Sequence, residues 1–355
     1  MVLDEDYLHK TLAELLAIPS PLGYTDEIVA YVTAKLQDLG VEYYAKRRGT
    51  IVATLKGDQR DADRAISAHL DTLGAMVQAI EPDGRLKLVP LGTWSARFAE
   101  GGRVSVLDCF TPVRGTVLPI KSSGHVYGDD VDTLPVGWDY VQLRLDQICK
   151  NPDDVIALGI DVGSIVAFDP NTEFLPNGYI SSRYLDDKAG VACLLTAIKA
   201  LGESPNLAVE CHPIFSLSEE TGCGCGHAPD EQVGELLSVD IGPVAPGQNS
   251  SEHRVNIGIK DTSGVYHPSL SKKLTRLCEQ HKIPFRKDVY KFYRSDTHSA
   301  IIAGNDLQHG LITFGTESTH GYERTHMDSL LSVTRLLAAY MSSEGSSIDE
   351  ADNDS

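Results

Sequence analysis

From about Met76 to Asp169 the chain changes texture, and that change limits the folds open to it. Short Val-, Leu- and Ile-rich runs (Leu86 to Val89, Val104 to Leu107, Gly115 to Leu118, Tyr140 to Leu145, Ile165 to Phe168) follow one another between Gly, Pro and Asp. Close-set short strands predict a small β-barrel or sandwich. On either side, strand-like runs alternate with segments of helical spacing, the pattern of a layered α/β sheet. The expected fold class is therefore α/β: a discontinuous domain, residues 1–75 and 166–343, with a small β domain, residues 76–165, inserted into it.

The flanking elements can be read individually. Tyr7 to Ala17 and Asp26 to Leu39 carry apolar residues at helical spacing, separated by a break at Pro19 to Gly23 and stopped at Gly40. Val41 to Tyr44, Thr50 to Leu55 and Ala65 to Ala68 read as short strands. After the insertion come helix Lys188 to Leu201, strand Ala208 to Leu217, a strand near Leu237 to Ile241, helix Pro268 to His281, strands Phe285 to Val289 and Leu311 to Phe314, and helix Met327 to Ser342. Residues 344–355, rich in Ser, Glu and Asp, read as a disordered acidic tail.

Composition excludes several partners. Fifty acidic residues against thirty-one basic ones give a net charge of −19, which repels nucleic acid and anionic membrane surfaces. The seven cysteines form no pair of C-x-x-C motifs, so neither a disulfide framework nor a structural zinc site is expected. The Cys223-Gly-Cys225 pair reads as structural, because one intervening residue is a poor chelate spacing. An acidic N-terminus and the lack of a long apolar run point to the cytoplasm.

The chemistry concentrates at the ends of strand-like runs. The run ending at Ala68 passes into His69-Leu70-Asp71-Thr72-Leu73-Gly74, and Ala208 to Leu217 emerges into Ser218-Glu219-Glu220-Thr221-Gly222. Asp240 ends another β-prone run. Asp186 and Asp187 stand where a strand or turn gives way to a helix, and two buried neighbouring carboxylates need a local cation to stay ionised. A plain helix cap is the simpler account of Asp186, and a core imidazole or a solvated edge the simpler account of His69 or Glu219 taken alone. Together with His326 they supply His, Asp, Glu, Asp and His from separate elements, a donor set suited to two divalent metal ions, because ligands of an open α/β sheet gather at the carboxyl ends of its strands.

These stretches resemble the tetrahedral or glutamyl aminopeptidase family. His69-Leu-Asp71-Thr-Leu-Gly74 is similar to its His-x-Asp-Glu-Val-Gly element, Leu185-Asp186-Asp187-Lys188-Ala-Gly190 to Leu-Asp-Asp-Arg-x-Gly, and Glu219-Glu220-Thr-Gly222 to Glu-Glu-Val-Gly. Leu91-Gly92-Thr93-Trp94, Gly159 to Gly163 and Ser295-Asp296-Thr297 match further landmarks, so the resemblance covers nearly the whole chain. It implies a three-layer α/β/α zinc-exopeptidase-like domain carrying a β-barrel, two divalent ions (zinc, with cobalt or manganese as substitutes), and dimers gathered into a hollow dodecamer. One ion is implied at His69, Asp186 and Asp240, the other at Asp186, Glu220 and His326. Glu219 is then the general base that deprotonates a metal-bridged water, and Asp71 the acceptor that fixes the His69 tautomer. The implied reaction removes N-terminal residues from short peptides.

Departures from the family pattern fall around the substrate rather than the metals. Thr72 replaces a glutamate, Lys188 an arginine, and Arg294-Ser295-Asp296-Thr297-His298 a glycine-rich loop. The ending Thr319 to His326 is similar to a bacterial branch linked with the osmoprotectant N-acetylglutaminylglutamine amide, which makes a small acylated dipeptide amide an alternative substrate. A glycoside hydrolase using Glu219 and Glu220 is the other alternative, although adjacent residues suit carboxyls on opposite sides of a glycosidic bond poorly. His320 and His326 share one loop. The family spacing favours His326 as the ligand and leaves His320 as a loop residue or a donor lining the cleft.

Overall fold

A nine-stranded sheet forms the centre of the protein, a computed structural model that describes residues 3–202 and 207–344. The expected tail from residue 345 onward lies outside the described residues. Four neighbouring strands, Leu207–Ser216, Gly57–His69, Val233–Pro243 and Gln308–Thr316, run parallel, and antiparallel strands extend the sheet on both sides. Their side chains alternate between two faces, as strand geometry requires. Ile66, Ala68, Phe215, Leu237 and Val239 join the large core on one side, while Ala65, Ile214 and Leu236 join a smaller cluster on the other.

The large core lies under helices Glu5–Ala17, Asp26–Asp38, Leu185–Leu201, Pro268–His281 and Met327–Met341. Ala300 of the short helix Asp296–Ile302 packs into the opposite cluster. The result is the expected α/β/α layering. The helix Leu185–Leu201 is apolar nearly all round, since it is buried from Leu185 to Ile198, whereas Pro268–His281 buries a single stripe of Leu270, Leu274, Leu277 and Cys278.

Between Gly74 and Phe168, six strands close into a barrel in the order Gly74–Ile80, Leu86–Leu91, Val141–Leu145, Val113–Pro119, Arg103–Val106 and Ile165–Phe168. Its interior is a separate apolar cluster that includes Val77, Leu88, Val104, Val117, Leu143 and Val166. A third sheet has only three strands, Glu173–Phe174, Tyr179–Ser182 and Glu323–His326. It pairs the approach to Asp186 with a segment far away in sequence, Tyr179 opposite His326 and Ser182 opposite Glu323.

Candidate metal centre and active site

The Gly57–His69 strand ends at His69, directly opposite Ser216 of the neighbouring parallel strand, so His69 and the Glu219–Glu220 turn leave the sheet side by side. Asp186 and Asp187 open the Leu185–Leu201 helix in non-helical conformations, φ −72° ψ 107° and φ −115° ψ 28°, joined by a cis peptide bond. Their side chains have separate partners. Asp187 accepts the His69 main-chain N–H at 3.1 Å, and Gly190 leaves it room, since a Cβ there would stand 2.1 Å from the Asp187 Oδ1. Asp186 faces the opening.

One carboxylate addresses two imidazoles. Asp186 Oδ1 lies 3.0 Å from His69 Nε2, and its Oδ2 lies 3.5 Å from His320 Nε2. Both histidines are held in the same way, with Nδ1 donating to a main-chain carbonyl at 2.9 Å, that of Asp71 for His69 and that of Thr93 for His320. A donor at Nδ1 leaves the Nε2 lone pair free toward the site, the usual arrangement of a ligating imidazole. His69, Asp186 and Asp240 form one group of donor atoms within 4.8 Å of one another, and Asp186, Glu220 and His320 form a second.

Two expectations are corrected by this geometry. His326 is not beside Asp186 and Glu220. It is the last residue of a strand in the small sheet, its Nε2 donates to the Asn177 carbonyl at 2.9 Å and its Nδ1 accepts from the Asp328 N–H at 3.1 Å. His320 takes the place instead, 3.6 Å from Glu220 Oε2, carried there by a left-handed residue conformation with φ 62°. Asp71 does accept from His69 Nδ1 and fix its tautomer, but through its main-chain carbonyl, while its carboxylate lies 3.9 Å away. It accepts the main-chain N–H groups of Glu219 at 3.2 Å and Glu220 at 3.3 Å, and so fixes the turn that presents both glutamates.

Two further residues belong to the frame. Buried Glu323 accepts the Asp186 N–H at 3.2 Å and the His320 N–H at 2.9 Å, so it spaces the shared carboxylate from the second imidazole. Its only sequence signal was an acid within the loop that ends at His326. Asp296 accepts from Ser216 Oγ at 2.5 Å and from the Cys225 N–H at 3.0 Å beneath the glutamate turn, which gives Cys225 a structural place. Lys188 is buried and donates to the Ile18 carbonyl at 2.5 Å; burial pushes its ammonium down to about 7. Thr72 is also buried, with its N–H on the Ser20 carbonyl at 2.9 Å.

The site holds more negative charge than its own cations balance. Burial, and next to it the Asp186 charge, pushes Asp240 well above the carboxylate range and Glu323 up to about 8. Burial likewise raises Glu220 to about 7 against the opposing pull of His320, and raises Glu219 strongly, with Asp240 and Asp296 adding to it. Burial alone would lower His320, but Glu220 and Asp186 outweigh it and lift the imidazole to about 10. Glu220 Oε1 and Asp187 Oδ1 are buried without any hydrogen-bond partner. Carboxylates crowded in this way, with orphaned oxygens and imidazole Nε2 atoms aimed among them, fit divalent cations, which would take the place of the Nε2 protons. A cleft of about 740 Å³ opens over these residues, walled by Trp94, Tyr293, Arg294 and His298.

The pattern of M42 glutamyl aminopeptidases matches residues 49–336. The chain belongs to the M42 glutamyl aminopeptidase family. This M42 protein is a peptide hydrolase of a two-metal family. It is 39% identical over 335 residues to YhfE of Bacillus subtilis (strain 168), whose name marks it as a provisional aminopeptidase, with 94% of this chain and 96% of the relative covered. The fold is shared with the aminopeptidase APDkam598 of the archaeon Desulfurococcus kamchatkensis, with a TM-score of 0.85 at 22% identity and 95% of each chain covered. It is shared also with the TET1 peptidase of Pyrococcus horikoshii, which can assemble into a tetrahedron or a large octahedral shell, with a TM-score of 0.84 at 20% identity over 94% of this chain and 99% of that one. No helix among the described residues of the M42 chain is long and apolar enough to cross a membrane.

Proposed function

We propose that this M42 protein is a two-metal aminopeptidase that removes N-terminal residues from short peptides. His69, Asp186 and Asp240 would hold one divalent ion, and Asp186, Glu220 and His320 the other. The observation that carries the reading is the Asp186 carboxylate, with one oxygen toward each of two imidazoles whose Nδ1 atoms are already engaged. Zinc suits a mixture of imidazole and carboxylate donors, and cobalt or manganese can replace it in a site this rich in oxygen.

When bound, the ions supply the Lewis acidity that polarises the scissile carbonyl and acidifies the attacking water. The remaining work falls to the protein. Glu219 faces the same opening as His69, with its Oε2 4.0 Å from the His69 Nε2. Burial, reinforced by Asp240 and Asp296, makes its carboxylate a stronger base than an exposed glutamate. It accepts the proton of the attacking water and returns it to the departing amine. Asp71 keeps Glu219 in place through the turn N–H groups, and Glu323 keeps Asp186 and His320 in register. The cleft, with Trp94 and Tyr293 on its walls and Arg294 among its lining residues, receives the first residues of the peptide.

Assembly into dimers and then a dodecamer is part of the same proposal. Phe110, Val126 and Ile148 on the inserted segment are 83%, 72% and 86% exposed, which suits a surface that meets other copies of the chain. All seven cysteines are unpaired, in keeping with a reducing cytoplasm.

The test is metal-dependent cleavage. Protein stripped with a chelator should lose activity on a panel of aminoacyl chromogenic substrates, acidic and basic residues included, and regain it with zinc, cobalt or manganese. Cleavage of an N-acetylated dipeptide amide with none of the free aminoacyl substrates would overturn the aminopeptidase reading.

A further inference from the structure

The loop from Arg294 to His298, one of the stretches that depart from the family pattern, borders the cleft. Arg294 is exposed there, and among the described residues that line the cleft it is the only arginine or lysine. Asp186, Glu219, Glu220, Asp240 and Asp296 line the same space, yet none of them pairs with it.

A single hydrogen bond holds the guanidinium. Its Nε donates to Thr262 Oγ1 at 3.3 Å. Thr262 is itself tied to the loop, its N–H and its hydroxyl both donating to the Tyr293 carbonyl, at 3.1 and 2.6 Å. The hydroxyl proton is therefore committed, and Oγ1 meets Arg294 as an acceptor. The two terminal nitrogens of Arg294 have no partner among the described residues. A guanidinium anchored through Nε with its terminal pair free presents two parallel N–H groups, the geometry that grips both oxygens of a carboxylate.

The acids nearest to this pair along the chain are occupied elsewhere. Asp261, next to Thr262, is buried and accepts from the Ser263 N–H at 2.7 Å and from the Tyr266 hydroxyl at 2.7 Å. Asp296, two residues beyond Arg294, is buried and turned toward Ser216 and Cys225. Two divalent ions would offset Asp186, Glu219, Glu220 and Asp240, so an anionic group could enter beside Arg294 without facing uncompensated negative charge.

We propose that Arg294, steadied by Thr262, is the specificity residue that receives a carboxylate of the substrate. That carboxylate is either the side chain of an acidic residue or the free C-terminus of a very short peptide; both offer the same two oxygens to the same fork. The inference rests on the aminopeptidase reading for the reaction, but not for the binding.

The experiment uses zinc-loaded full-length protein and three peptides: Glu-Leu amide, with a side-chain carboxylate only, Leu-Leu, with a C-terminal carboxylate only, and Leu-Leu amide, with neither. The natural sequence should favour one of the two acids over Leu-Leu amide in kcat/KM, and which one identifies the source. Arg294→Gln should shrink that preference at least about tenfold, the loss expected for a hydrogen bond to a charged group, mostly through KM. Arg294 is exposed, so the substitution leaves the core alone. Calorimetric binding of the same peptides to Glu219→Gln, with and without Arg294→Gln, reads the preference in the absence of turnover. Failure of the aminopeptidase reading would then show as missing hydrolysis with the binding preference intact. A preference for neither acid, or one of equal size after Arg294→Gln, would overturn the proposal.

Discussion

The Thr93 main-chain carbonyl accepts a hydrogen bond from His320 Nδ1 at 2.9 Å. Thr93 follows a barrel strand, and His320 stands beside Asp186 and Glu220 over the central sheet. The inserted domain therefore supplies no side-chain donor to the site, yet it sets which nitrogen of one imidazole faces Asp186.

Glu219→Gln removes a proton acceptor and none of the grouped donor atoms. Turnover should fall by more than about a hundredfold, the low end of general-base contributions, with the metal content of the natural sequence. Near-normal activity in a fully loaded variant would sink the assigned role.

His320 and His326 separate cleanly by metal content. His320→Ala should lose activity and bind less metal in the cleft, and Asp186→Ala should lose both catalytic ions together because it touches each group. His326→Ala should keep turnover on aminoacyl substrates. Elemental analysis with parallel kinetics decides it, and loss of activity in His326→Ala with retention in His320→Ala would reverse the assignment.

The metal-free protein should become less stable as pH rises from about 5 to 9. Glu220 and Glu323 have folded values of about 7 and 8 against an ordinary 4.5, and His320 about 10 against 6.5. In each case the folded state binds the proton more tightly, so the stabilisation is complete below the ordinary value and is lost as pH climbs through the raised one. Thermal melts of chelated protein should show Tm falling across that range, with a weaker dependence after zinc is restored. A Tm that rose with pH in the chelated protein would contradict the charge balance described for the site.

Light scattering of the purified protein should report an assembly many times the 38.5 kDa chain mass. Charged substitutions at Phe110 and Ile148 should shift it toward smaller species. A monomer at working concentrations would refute the assembly without touching the chemistry.

Much of this was legible because chemistry follows apolar runs. His69, Glu219 and Glu220 come where buried strands end, and the helix Pro268–His281 and strand Phe285–Val289 have the limits their periodicity suggests. The strand Val255–Asp261 was missed, since Asn256, Gly258 and Lys260 break its apolar pattern. The choice between His320 and His326 could not be read locally. It depends on a two-stranded register that places His326 opposite Tyr179, and on a carbonyl from another domain. The job of the Asp71 carboxylate was equally hidden, because its partners are main-chain N–H groups that carry no residue identity.

The three-stranded sheet that pairs Tyr179–Ser182 with Glu323–His326 has a consequence for a chain emerging from the ribosome. His69, Asp186, Glu220 and Asp240 are all made before the strand that closes the site. Asp186 lacks the second imidazole until residue 320 has been synthesised and its Glu323 brace until residue 323 has been. The donor groups around Asp186 are thus completed late, by a segment near the C-terminal end of the described residues.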